Sequence, residues 1–165
     1  MKKLSALIAL ALFAAPVAYA QDGLSCATSI VIPGGTQTYT VNTATNGATI
    51  YNNYGPLASP SNDSMYTFTT GATAPGAGGT ISLDSADFSA ATYLLDSCPA
   101  GLAGPTPIGV NATVGGQITL PALLANHQYY VAITGTAAGG AGAQGTVGFT
   151  ITPPYPVELQ SFEID

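Results

Sequence analysis

Beyond its first twenty residues the chain alternates apolar and polar positions in short runs. In Ser64–Thr70, Met65, Thr67 and Thr69 take one set of alternate places and Tyr66 and Phe68 the other, the period of two of an extended strand. Similar runs, rich in Thr, Tyr, Val and Ile, occupy Ser29–Ile32, Thr36–Val41, Ala48–Tyr51, Thr80–Leu83, Ala91–Leu95, Gln117–Leu120, His127–Thr134 and Thr146–Thr152. Such residues suit a pleated, half-buried surface. Pro33-Gly34-Gly35 and Asn46-Gly47 separate runs, and the Gly-rich tract Gly71–Gly79 reads as an exposed turn. No window after the leader shows a helical apolar stripe with caps. At most, Ala86–Ala91 or Pro121–Asn126 makes one helical turn. Short strands with turn signals at intervals of about 8–12 residues predict an all-β fold, an antiparallel β-sandwich of jelly-roll-like kind. A parallel β-solenoid competes on composition but needs a fixed repeat, and none occurs in spacing or residue type.

Two terminal segments stand apart from this pattern. Met1-Lys2-Lys3 is a basic start, Leu4 to Val17 an apolar stretch, and Ala18-Tyr19-Ala20 a small-x-small cleavage site, together the signature of a secretory signal peptide. The stretch is shorter than the roughly 20 residues of a membrane span, and no basic flank follows it. The expected organisation is a leader over 1–20, a sandwich domain over 21–152, and a connector with a final strand over 153–165. The product is expected in the periplasm or outside the cell. In the tail, Pro153-Pro154-Tyr155-Pro156 is a stiff connector. Val157 and Leu159 then alternate with Glu158 and Gln160, whereas Phe162 and Ile164 alternate out of phase with them. A one-residue slip exchanges faces, so a strand here bulges or leaves the sheet. The tail is either the last strand of the sandwich or a strand offered to another chain, a route to self-association.

Charge narrows the function. The only basic side chains, Lys2 and Lys3, lie in the leader, against eight acids in the rest. Without Lys or Arg the mature chain cannot neutralise phosphates, which excludes a nucleic-acid binder, a P-loop and an arginine clamp. Export also sets the reading of the two cysteines. Cys26 and Cys98 are expected to pair in an oxidising compartment, with two buried thiols as the alternative.

Catalytic groups are sparse. His127 is the only histidine, and nucleophilic catalysis needs a base beside its nucleophile; a lone His at the start of an apolar strand reads first as structural. Asp84 and Asp87 are close in sequence, but a glycosidase pair here lacks Trp or Arg to grip a sugar. No enzyme is expected. Asp63, Asp84, Asp87 and Asp96 fall at strand ends and loops, where carboxylates supply calcium with oxygens and equally often cap turns. Tyr51-Asn52-Asn53-Tyr54 combines rings that stack on sugars with amides that bond hydroxyls. The same run also reads as a loop whose tyrosines cover a sheet edge. A surface polysaccharide or a secreted protein is the partner class these features suggest.

From Asn62 onward the order of signals resembles a known family. Asp63-Ser64-Met65-Tyr66-Thr67-Phe68 precedes Ile81-Ser82-Leu83, then Ser85-Ala86-Asp87-Phe88, then Thr92-Tyr93-Leu94-Leu95-Asp96-Ser97-Cys98. Tyr129-Tyr130-Val131-Ala132-Ile133-Thr134-Gly135 and Val147-Gly148-Phe149-Thr150-Ile151 close the series. This resembles the bacterial pre-peptidase C-terminal domain, a small secreted β-sandwich usually appended to exported proteases and other extracellular enzymes. The resemblance implies a non-catalytic accessory or binding module. Ser89 stands where the family commonly has Asp, and Ile108-Gly109-Val110-Asn111 where an acidic pair is usual; those acids contribute to calcium sites in some members.

Overall fold

A computed structural model describes residues 23–59, 61–98, 101–136 and 142–154. The expected leader and the strand at Val157–Ile164 lie outside the described residues. The strands are β1 (Ile30–Val31), β2 (Gln37–Asn42), β3 (Asn53–Tyr54), β4 (Leu57–Ala58), β5 (Ser64–Thr69) and β6 (Thr80–Ala86). They continue with β7 (Ala90–Leu95), β8 (Ala103–Gly104), β9 (Gly109–Asn111), β10 (Gln117–Thr119), β11 (Gln128–Gly135) and β12 (Thr146–Thr152). They form a five-stranded sheet in the order β1-β5-β11-β7-β9, a four-stranded sheet β10-β6-β12-β2, and a small sheet β4-β3-β8. From β5 to β7, and again from β9 to β12, the chain crosses repeatedly between the two large sheets.

The alternation seen in the sequence explains how those sheets pack. Tyr66 and Phe68 of β5, with Val131 and Ile133 of β11, leave one face of the five-stranded sheet and meet Leu83 of β6 and Phe149 and Ile151 of β12. Phe149 sits between two tyrosines, its ring centroid 5.2 Å from Tyr39 and 4.8 Å from Tyr66. This is the interior of a β-sandwich.

The opposite face of the five-stranded sheet is not left to solvent. Met65, Ala91, Tyr93, Leu95 and Ala132 project from it into a second apolar cluster closed by Tyr51 and Tyr54. Tyr54 stacks on Tyr93 at 4.4 Å, and Tyr51 meets Tyr54 edge-on at 5.4 Å. The short sheet β4-β3-β8 is thus a third layer. It accounts for the continuous burial of Ser64–Phe68 and of Ala90–Leu95, where a two-layer sandwich would alternate. Its close fit depends on Gly104: a Cβ there would lie 2.6 Å from the Asn53 carbonyl and 3.0 Å from the Tyr51 ring.

Most expected strands form within a residue or two of their predicted bounds, and the all-β sandwich is the fold. The run Ala48–Tyr51 differs. It makes only an isolated bridge, Ala48 to Asp63, because the next amides bond a side chain instead of a strand. The pairs β1–β5 and β3–β8 are parallel, while the other pairs are antiparallel. Neither candidate turn is helical: Ala86 ends β6, and Pro121–Asn126 ends in a tight turn with Asn126 at φ 49°. Among the described residues no helix is long and apolar enough to cross a membrane.

Candidate functional site

Asp63 stands at the junction of the layers. Its backbone pairs with Ala48, which brings the following chain past its carboxylate. Oδ2 accepts the amide hydrogens of Ile50 at 3.0 Å and Tyr51 at 2.9 Å. These two bonds turn the chain so that Tyr54 comes down onto Tyr93 and Tyr51 onto Tyr54. The carboxyl is wholly buried, and no Lys or Arg exists beyond residue 3 to answer its charge. Burial therefore pushes its pKa up to about 6, although the Tyr51 and Ile50 amides and the nearby hydroxyls of Thr134 and Tyr54 act in the opposite direction. Those hydroxyls are close without being well aimed, since Asp63 Oδ1 and the Tyr54 hydroxyl make no hydrogen bond of ordinary geometry. The buried side-chain oxygens without a partner among the described residues are Asn53 Oδ1, Tyr54 Oη, Ser61 Oγ and Asp63 Oδ1. All four fall in this one stretch of chain. The Tyr54 phenol is raised well above its ordinary value, first by burial and then by the Asp63 charge.

A disulfide packs against the second apolar cluster. Cys26 and Cys98 form a disulfide across 72 residues, with Cα atoms 6.1 Å apart. The Tyr51 hydroxyl lies 3.4 Å from the Cys26 sulfur and 3.3 Å from that of Cys98. Both cysteines, with Ser25, Ala27, Ile50, Leu102 and Tyr130, line an open depression of about 560 Å³.

The other candidate acids are dispersed. Asp84 is exposed on the outer face of the four-stranded sheet and accepts from Ser82 Oγ at 2.6 Å and Thr150 Oγ1 at 2.7 Å. Asp87 accepts the Thr146 amide at 2.8 Å. Asp96 is exposed, and its backbone carbonyl accepts from His127 Nε2 at 2.8 Å, which places the ring proton on Nε2. Among the described residues no three His, Cys, Asp or Glu side chains gather as metal ligands. As placed, the four aspartates do not form one calcium shell: Asp63 is enclosed, and Asp84 and Asp87 are bonded to their own sheet. The tyrosines of Tyr51-Asn52-Asn53-Tyr54 are fully buried, so their rings cover the sheet rather than facing a sugar. Asn52 is exposed and Asn53 half-buried.

No protein-family model matches the chain, and no curated protein does.

One surface feature was not singled out in the sequence. Strand register lines up Thr119, Thr80 and Thr152 across β10, β6 and β12, and Thr36 bonds Thr152 hydroxyl to hydroxyl at 3.1 Å. Two residues along, Gln117, Ser82, Thr150 and Thr38 form the next row, with Thr38 and Thr150 hydroxyls 2.9 Å apart. The T-x-T spacing in Thr36-Gln37-Thr38-Tyr39-Thr40 was the available signal; only the register reveals the array.

Proposed function

We propose that this chain is a secreted, non-catalytic β-sandwich module with a structural or binding role at the cell surface or outside the cell, and that it meets its partner with the outer face of β10-β6-β12-β2. The observation that carries this reading is the two rows of hydroxyl and amide side chains on that face, with Asp84 bonded to two of those hydroxyls. Fixed hydroxyls in register suit a neutral, hydroxyl-rich partner such as a surface polysaccharide, bonded through many weak contacts rather than by ring stacking.

Two further facts favour the reading. The groups that chemistry would need are engaged in holding the fold: His127 with Asp96, Asp84 with Ser82 and Thr150, and Asp87 with Thr146. The order of motifs from Asn62 to Thr152 resembles that of the pre-peptidase C-terminal domain, a module that accompanies exported enzymes. The test is co-sedimentation of the purified protein with insoluble polysaccharides and cell-wall sacculi, beside the surface variant Thr38→Lys/Thr119→Lys. Retention of the wild type and its loss in the variant is expected. Equal retention of both, or none of either, contradicts the assignment of the face.

A further inference from the structure

We propose that the Cys26–Cys98 bridge is a thiol–disulfide exchange site, open to an external dithiol through the depression beside it, and that its reduction frees the Tyr51–Tyr54 layer. How fast a folded protein's disulfide is reduced depends in part on whether an attacking thiolate can reach its sulfurs. Here both cysteines are half-buried and stand in the wall of an open hollow whose rim includes the exposed Ala27 and Leu102. The remaining wall is apolar or small, so no carboxylate of the described residues lines the approach to repel a thiolate.

The geometry also provides for the leaving group. The Tyr51 hydroxyl is within 3.4 Å of both sulfurs. A thiolate of the external dithiol attacks one sulfur and forms a mixed disulfide. The Cys26–Cys98 bond breaks, and its electron pair remains on the other sulfur, which receives the Tyr51 hydrogen bond and then a proton from water. The second thiol of the reagent, as its thiolate, displaces the first cysteine, which is protonated in turn. The bridge gains two electrons and two protons, and the dithiol becomes a disulfide.

What this releases follows from the layers. Tyr51 and Tyr54 lie over the second cluster, Tyr51 is tied to Asp63 through its amide and to both sulfurs through its hydroxyl, and both cysteines pack against that cluster, whereas the first cluster does not involve either cysteine. Opening the bridge therefore loosens one layer and leaves the sandwich standing.

The experiment incubates the oxidised protein with dithiothreitol under native conditions, traps thiols with iodoacetamide, and follows mass gain beside the unfolding rate measured separately. Reduction first-order in dithiothreitol and at least about tenfold faster than unfolding is expected. A rate that levels off at the unfolding rate overturns the proposal, because the bridge is then reached only in the unfolded chain. Ala27→Trp, which fills the rim, is expected to slow reduction several-fold at unchanged unfolding rate, and Tyr51→Phe to slow it through the lost hydrogen bond. Unchanged reduction in both variants overturns the assigned approach and leaving-group role. Chymotrypsin is expected to cut the trapped protein after Tyr51 or Tyr54 several-fold faster than the oxidised form. Equal cutting overturns release of the layer.

Discussion

Asp63 enters the folded state with its carboxyl out of water and with no Lys or Arg beyond residue 3 to answer it. Its pKa rises from the ordinary 3.8 to about 6. The folded state therefore holds a proton that the unfolded chain gives up between about pH 4 and pH 6. Stability falls across that window and is flat above it as far as this group is concerned. Two units correspond to about 3 kcal/mol. Urea unfolding at a series of pH values is expected to show this loss, and Asp63→Asn, which still accepts the Ile50 and Tyr51 amides, to remove it. A wild type and variant with parallel pH profiles would contradict the burial argument. Tyr54 gives a second test at this scale. Its hydroxyl is buried without a partner, a cost of about 1–3 kcal/mol, so Tyr54→Phe is expected to unfold at equal or higher temperature than the wild type. The sequence marked Asp63 as one of four equivalent loop acids. Nothing local showed that its partners are the amides of residues 50 and 51, because that contact exists only once Ala48 pairs with Asp63.

Strands were the legible part of this molecule because period-two alternation and Thr, Tyr, Val and Ile content are local. Ser64–Thr69, Gln128–Gly135 and Thr146–Thr152 form almost where the pattern set them. What covers each face was not local. Met65 and Tyr93 pack under tyrosines from a distant loop, and β8 and β9 are too short to show a period. Tyr-Asn-Asn-Tyr-Gly-Pro carried a covering role for its tyrosines beside the sugar-binding one, but they cover a face of the five-stranded sheet rather than an edge, and only burial separates the two roles. The third layer depends on backbone contact at Gly104. Gly104→Ala pushes a methyl against the Asn53 carbonyl and is expected to cost about 1–3 kcal/mol, the range for overpacking. The same change at the exposed Gly76, which has open space around it, is expected to cost almost nothing. Thermal melts of the two variants make the comparison.

At the scale of the whole molecule, two cores share one sheet. The sandwich core is the larger and contains no cross-link, while the smaller core is closed by a layer with few strand bonds, a buried acid and a disulfide. Closing 72 residues stabilises by about 4 kcal/mol on chain entropy. Cys26→Ala/Cys98→Ala is expected to lose about that much in urea unfolding while keeping its strand content by circular dichroism. The most direct measurement is native-state hydrogen exchange on the oxidised and the reduced, alkylated protein. If the layers are separable, reduction strips protection from the amides of Ile50 to Tyr54 while those of β5, β6, β11 and β12 keep theirs. Uniform loss across all these amides, or none at Ile50 to Tyr54, would show instead that the protein opens as one unit and that the third layer is not held by the bridge.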